Sequence, residues 1–571
     1  MPYEKDLTSG VSGLPASVRR ICLPLLAALA CLVGLWVKCD AVNAKESSMA
    51  NDCQVTVYTR NIIHPEFGGV GFHMFCHAHP IAQTHLKQVI AKRWREMNPS
   101  FARLNDSANW DRDMLDKVDA HLLRLKETGT VVYMTTWDPA ETQAGEERRA
   151  YAKKVVGNLE YLIREKGATN IKYYCMTNEL SLKGWGALRN DMPKFRDYHR
   201  EIFEEIKARS LDIKLLASDA SPISFWDTIK WSAENMDDIT GIYGGHHYIN
   251  DYAPEDEEFY AWFLKEVHQG VKIARDRGKS FILGEFGCKQ DGRTIDGIKR
   301  DVCIYWDTPQ EPMVGIQLCE AAIAAINAGV YALGNWTFTD FPDSYHKSYI
   351  NKWGTFRWSG DDYSTRAHYY AYGLLTRFFR GPATVFEVES GDALLRISAL
   401  RHYDRGTYSI AVINRKKEDV PLTVTLDGDS LNADFRKYVY DPENVPYNPF
   451  GDLQPPEGKI VMNNGRLTDI VGGVTLTVYT TAYDEDPPAV VEGLVIEANP
   501  EGGKNLKWQA NSESDFCYYR IHRSADRDFS PALGNQIGTT VATEFTDGSA
   551  DSGGEHYYRV VAVDQSGNVS Q

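Results

Sequence analysis

The stretch YYCMTNEL, residues 173–180, is a nearly uncharged run that ends on a carboxylate. A buried strand of this kind costs little, but a carboxylate at its exit is costly unless paired, solvated or used. A second stretch has the same form: FILGEFG, residues 281–287, carries its apolar run to Glu285. Similar runs recur along the chain. They are GGVGFHMF (68–75), FARLN (101–105), VVYMTTW (131–137), IKYYCMT (171–177), IKLLAS (213–218), ITGIYGGHHY (239–248) and VYALGNWTF (330–338). With FILGEFG they make eight. Amphipathic stretches such as RDMLDKVDAHLLRLKETG and RDYHREIFEEIKARS separate them. Eight strands alternating with helices over roughly 290 residues predict an α/β fold, a (β/α)₈ TIM barrel. A doubly wound open sheet has the same rhythm, so the count of eight carries the choice.

Chemistry in such a barrel sits at the C-terminal ends of the strands. Glu179 follows the fourth strand and Glu285 ends the seventh, so closure brings both to one rim. Two carboxylates across a pocket suit glycoside hydrolysis, where one donates a proton and the other attacks or stabilises the sugar cation.

Past RAHYYAYGLLTRFFRG (366–381), the last helical pattern, the period changes to two, with Gly and Asp turns. This predicts an antiparallel β-sandwich over 386–484. QVTVYT (54–59) is a candidate extra strand for it. The Pro-rich segment 484–489, DEDPPA, reads as a linker with few contacts across it. A further all-β unit follows over 487–571. The catalytic barrel is assigned 50–385.

The 571 residues are 43% hydrophobic and 25% charged, as in ordinary globular proteins, and net charge is −16. That balance argues against nucleic acid as a partner. Arg19-Arg20, the apolar run 21–37 and DAVNA read as an export signal over 1–44, cleaved after Ala44. An uncleaved anchor is the alternative and the sole route to a membrane. Lipidation at Cys31 or Cys39 fits the flanking residues poorly. Ten cysteines include Cys22, Cys31 and Cys39 of that segment; the rest lack disulfide or zinc spacing. HMFCHAHP (73–80) is rich in histidine but lacks partners at ligand spacing. No metal or cofactor is expected.

The motifs resemble glycoside hydrolase clan A over about 62–380. TNEL matches the clan's Asn-Glu after strand four, and GEFG its glutamate ending strand seven. Arg103 in FARLN, His247-Tyr248 in GGHHY and Trp336 in LGNWTF match further clan positions in strand order. The Pro that follows Asn-Glu in many members is absent, and the family within the clan stays open. The resemblance implies a retaining enzyme of β-glycosidic bonds in a polysaccharide or oligosaccharide. Glu179 is then acid/base and Glu285 nucleophile, with Arg103, Asn178, His247, Tyr248, Trp336 and Trp137 binding substrate. Trp185 is a weaker stacking candidate. His246 competes with His247 for the inward register. Glu285 is expected to be ionised, its pKa lowered by Arg103. Residues 487–571 resemble fibronectin type III domains through PPAVVEGLVIE, NLKWQ, DFCYYRIHRSAD and HYYRVVAVDQSGNVS, in order. That implies a spacer or surface adhesin. A carbohydrate-binding or adhesion protein with a silent barrel is the competing reading, and hydrolysis of aryl glycosides separates the two.

Overall fold

The computed structural model describes residues 52–136, 145–180, 188, 191–250, 258–289, 294–295, 298–299, 311–343, 349–550 and 554–571. The export-signal reading, Trp137 and Trp185 lie outside them. Eight parallel strands form the barrel. They are β1 (Cys53–His73), β2 (Phe101–Asp106), β3 (Val131–Thr136), β4 (Ile171–Cys175), β5 (Lys214–Ala220), β6 (Ile242–Asn250), β7 (Phe281–Lys289) and β8 (Ala332–Asn335). Each pairs with the next, and β8 closes on β1 with Gly69 opposite Ala332 and Phe72 opposite Asn335. The open-sheet alternative is therefore excluded.

Among the described residues, eight helices of seven residues or more surround it: α1 (Ala91–Met97), α2 (Arg112–Glu127), α3 (Gly145–Glu160), α4 (Met192–Ala208), α5 (Asp227–Asn235), α6 (Glu258–Arg275), α7 (Met313–Ala328) and α8 (Ala367–Phe378). Their starts follow from side chains. Asp111 accepts from the Met114 N–H ahead of α2, and Asp191 accepts from Lys194 N–H ahead of α4, which has Pro193 in its first turn. The lower barrel is filled by inward residues of alternate positions, among them Phe101, Tyr133, Tyr173, Leu216, Ile242 and Ile282. The strand-one glycines are needed there: a Cβ on Gly71 would lie 1.7 Å from the Phe101 carbonyl oxygen.

α7 is apolar on every side, which predicts burial all round. It is sandwiched between the barrel and a second unit of antiparallel strands. These are β9 (Arg380–Ser390), β10 (Leu395–His402), β11 (Tyr408–Asn414), β12 (Val420–Asp427), β13 (Ala433–Tyr440), β14 (Gly458–Met462), β15 (Arg466–Val471) and β16 (Thr475–Thr480). The one carboxylate of α7, Glu320, is fully buried and is paired by Arg396 and Arg415 of this unit. β1 belongs to both units. Its first half pairs with β9 and, in parallel, with β12, putting Val55 and Val57 into the sandwich core beside Ile397, Val412 and Val424. The span 50–385 read for the barrel thus includes a strand segment that completes the sandwich.

A third unit has two three-stranded antiparallel sheets. One has the order β17 (Val495–Ala498), β18 (Lys504–Lys507), β21 (Glu544–Asp547). The other has the order β20 (Gln536–Thr540), β19 (Phe516–Ser524), β22 (Tyr557–Asp564). Sparse contact across 484–489 was the expectation, and the structure reverses it. Lys92 of α1 is buried with Glu96 (2.7 Å) and Asp452 (2.6 Å), and its ammonium lies over the Tyr518 ring. Arg520 pairs with Asp452 at 3.1 Å. Asn98 donates to Gln565 Oε1, Arg377 to Gln565 O and Arg436 to Ser566 O. Thr539 Oγ1 donates to Gln88 O, and Val541 N–H to Lys87 O. The prolines stiffen the connection, but the faces on either side of it are complementary. Among the described residues no helix is long and apolar enough to cross a membrane, and the cysteines there are free and buried.

Candidate active site

The site is built on the C-terminal ends of the barrel strands, around one buried guanidinium. Arg103, inward on β2, donates through Nη1 to Glu285 Oε1 and through Nη2 to Asp219 Oδ2 (2.9 Å) and Asn178 Oδ1 (2.6 Å). Its Nη1 also lies 3.1 Å from His73 Nδ1. Tyr248 Oη donates to Glu285 Oε2 at 2.6 Å. His246 Nε2 stands 2.7 Å from Asp219 Oδ1, while its Nδ1 lies 3.5 Å from Glu179 and 3.6 Å from Glu285. One oxygen of Glu179, one of Glu285 and one nitrogen of His246 all lie within 4.8 Å of one another. The Glu285 side chain is 4% exposed and that of Glu179 is 19% exposed. Glu179 is the more open of the two.

The backbone also marks the site. Glu179 has φ of 55° and Asp219 φ of 56°. Residues with a Cβ in this left-handed region cost about 1–3 kcal/mol each, and such strain gathers where a side chain must be aimed.

Charge is distributed by burial and pairing. Burial works against the Arg103 charge, but Glu285 and Asp219 outweigh it and hold the guanidinium above its usual range. Burial likewise opposes the Asp219 charge, yet His246 and Arg103 pull that carboxyl down to about 2. Burial lowers His246, and Asp219 and Glu285 more than reverse this, raising the imidazole to about 9. Glu285 goes the other way from expectation. Burial raises its pKa above the ordinary 4.5, against the pull of Arg103 and His246, and Glu179 adds to the rise. Loss of solvent thus outweighs the guanidinium. The hydrogen bonds that Arg103 and Tyr248 donate to Glu285 nonetheless favour its anion. Burial and the neighbouring carboxylates keep Tyr248 a neutral hydroxyl.

The trio Glu179, His246 and Glu285 has the spacing of metal ligands. Its chemistry does not fit a cation: His246 is held protonated and Arg103 already occupies Glu285. A second trio, Asp484, Asp515 and Asp564, lies at the seam with the third unit, where Asn568 Nδ2 donates to Asp484 and Asp564.

Of the residues read from sequence, Arg103, Asn178, Glu179, Tyr248 and Glu285 come together. Trp336 stands beside them, its ring 4.3 Å from His73 and edge-on to Phe75. His247 does not join. Its ring packs against Trp262 and Phe263 of α6, and His246 takes the inward place. Three members were missed: Asp219, His246 as the chosen histidine, and His73. Asp219 had a signal, since it follows the apolar run LLAS as the glutamates follow theirs.

The backbone was compared with solved structures. A glycoside hydrolase family 30 subfamily 8 xylanase, Xyn30A from Clostridium acetobutylicum, superposes with a TM-score of 0.53 at 15% identity, over 75% of this chain and 99% of that one. A bacterial orthologue of human α-L-iduronidase gives 0.56 at 14% identity, over 91% and 98%. The endo-β1,6-glucanase BT3312 gives 0.51 at 15%, over 75% and 95%. The fold is that of known glycoside hydrolases. Barrel and sandwich make up about three quarters of the chain, so the 91% match takes in the third unit as well. No family model matches the chain. A segment of 120 residues is 29% identical to an alpha-amylase of Niallia circulans, covering 20% of this chain and 9% of that protein. The chain thus spans under a tenth of that relative's length.

The pairing of His246 has a measurable sign. Its pKa is raised from 6.5 to about 9 on folding. The stability it contributes is complete below pH 6.5 and is lost as pH rises through about 9. The melting-temperature gap between wild type and His246→Gln should therefore be widest near pH 6 and shrink steadily towards pH 9.5. A gap that is constant over this range would mean that His246 is neutral throughout. Differential scanning calorimetry in a pH series measures it.

Proposed function

We propose that the protein is an exported retaining glycoside hydrolase acting on β-glycosidic bonds of a polysaccharide or oligosaccharide. One observation carries the reading: oxygens of Glu179 and Glu285 lie within 4.8 Å of each other. Retaining enzymes hold their carboxyl groups about 5–5.5 Å apart, whereas inverting enzymes leave about 6.5–9.5 Å for a water.

Glu285 attacks the anomeric carbon as the bond to the leaving oxygen breaks, and Glu179 gives that oxygen its proton. The product is a sugar ester on Glu285. A water then gives a proton to Glu179 and its oxygen to the anomeric carbon, and the ester bond breaks. Both glutamates return to their first state. The charges support these roles. Arg103 and His246 carry two positive charges, and Asp219 and Glu285 two negative. A protonated Glu179 keeps this buried group neutral, and an ionised one would leave an excess anion. The exposure of Glu179 suits the group that must meet the leaving oxygen and later water. Trp336 offers a face to the sugar ring. The third unit, with its two three-stranded sheets, is read as a fibronectin type III domain.

The experiment is hydrolysis of chromogenic aryl glycosides, with Glu179→Gly as the probe. Glycine adopts the left-handed backbone freely, so this variant should gain about 1 kcal/mol in stability. Activity on unactivated glycosides should fall by about 10³-fold or more. Azide should restore turnover of activated substrates, giving a β-glycosyl azide. A Glu179→Gly chain that azide does not rescue would remove Glu179 from the acid/base role.

A further inference from the structure

The strand DFCYYRIHRSAD has two faces. Tyr519 and Ile521 enter the core of their own unit with Leu506, Trp508 and Tyr558. Tyr518, Arg520 and His522 therefore project from the opposite face, the one turned to α1 and the sandwich. Between that face and the sandwich segment 448–456 lies a cleft of about 490 Å³. This volume is within the range of small-molecule sites. No step of the proposed reaction uses it.

Three side chains of its lining are more than nine-tenths buried and yet carry a polar atom with no hydrogen-bond partner among the described residues. They are Tyr438 Oη, Gln454 Oε1 and His522 Nε2. Gln536 Nε2, Arg377 Nε and Arg520 Nε, on half-buried lining residues, likewise lack a hydrogen-bond acceptor there, Arg520 Nε having only its ion pair with Asp452. A buried group left in this state costs about 1–3 kcal/mol. Six such atoms, donors and acceptors together, sit around one cleft and point to a ligand.

Their chemistry selects its class. His522 Nδ1 lies 2.8 Å from Asn535 Oδ1, which also accepts the Ala532 N–H. The imidazole therefore donates through Nδ1 and keeps a lone pair on Nε2. Burial holds its pKa below the ordinary value, so that lone pair persists. Gln454 Oε1 accepts, Gln536 Nε2 donates, and the Tyr438 hydroxyl does both. An anion would need donors alone and a metal ion acceptors alone. Hydroxyl groups need both. Of the acidic lining residues, Glu96 and Asp452 are already paired by Lys92 and Asp564 accepts from Asn568, and Pro455, Pro456 and Leu533 supply apolar surface for C–H faces.

We propose that this cleft, where barrel, sandwich and third unit meet, is a second saccharide-binding site, separate from the barrel mouth. It stands without the hydrolase reading, because the ligand class follows from the cleft's own atoms.

The full-length Glu285→Gln chain, which should not turn substrate over, is titrated calorimetrically with xylohexaose, cellohexaose and mannohexaose. The same titration is run with His522→Ala plus Gln536→Ala added, and separately with Leu533→Trp added. Leu533 is 54% exposed, so an indole there narrows the cleft without entering a core. At least one probe should bind at a site that both changes weaken tenfold or more. Leu533→Trp alone, in the otherwise native chain, should leave aryl glycoside hydrolysis unchanged. Binding that neither change alters, or no binding by any of the three probes, overturns the proposal. Failure to hydrolyse any aryl glycoside, with cleft-dependent binding intact, would overturn the hydrolase reading and leave this one standing.

Discussion

Glu285→Gln should lower kcat/KM on aryl glycosides by at least about 10⁴-fold, the scale on which loss of a covalent nucleophile is felt. The substitution keeps the shape of the side chain and its place on β7. It removes the charge that faces Arg103 and His246 and the atom that forms the ester. Two buried cations then share Asp219 alone, so His246 should lose its proton more easily than at about 9. A fluorinated mechanism-based sugar should label wild type and leave the variant unlabelled, with the wild-type adduct on the peptide that contains Glu285. An adduct on any other peptide would overturn the assignment of roles. The pH profile adds a check with a definite sign. Burial raises the Glu285 carboxyl above 4.5, and the attacking form is the anion. The acid limb of kcat/KM should therefore lie above pH 4.5.

A chain ending at residue 486 should be recovered largely as aggregate, and whatever stays soluble should melt well below the full chain. Removing the third unit strips Asp452 of Arg520, Asn98 and Arg377 of Gln565, and Arg436 of Ser566. It also frees the backbone of Lys87 and Gln88 from Val541 and Thr539. At about 1 kcal/mol for each such bond the loss is several kcal/mol, comparable with the whole stability of many domains. Lys92, Glu96 and the other buried groups beneath Tyr518 would meet water. Soluble yield and thermal melting of the shortened chain measure the effect. A shortened chain that melts within two degrees of the full one would show that the third unit is an appendage.

The barrel was legible because its signal is periodic and repeated eight times. The strand-end carboxylates were legible for a different reason: a charge after an apolar run is anomalous wherever it stands. The same anomaly at Asp219 is hidden because the apolar pattern of strand five ends at Ser218, whereas the strand runs on to Ala220. His247 and Tyr248 were both placed in the site, although neighbours on a strand face opposite ways. Only one of them fits, and Tyr248 with His246 is the consistent pair. A register shift between Gly245 and His246 sets His246 opposite Glu285 and Tyr248 opposite Gly287. The lowered pKa expected for Glu285 failed because sequence shows its cationic partner but not how completely water is excluded. The third unit's attachment was hidden for a related reason. DEDPPA reports the stiffness of a connection, whereas docking is decided by faces such as Tyr518, Arg520 and His522, which in sequence look like an ordinary wet side of a strand.

The double membership of β1 has a consequence for the order of events during synthesis. Val55 finds its neighbours at Ser390 and Val424, several hundred residues downstream. At about 5–20 residues per second, tens of seconds pass before those neighbours leave the ribosome. Through that interval QVTVYT is an unpaired, β-prone ribbon on the nascent chain, the kind of edge that recruits wrong partners. Contacts this remote in sequence also make for slow folding. The first strand of the barrel is thus among the last to be satisfied, and the barrel and sandwich must mature together.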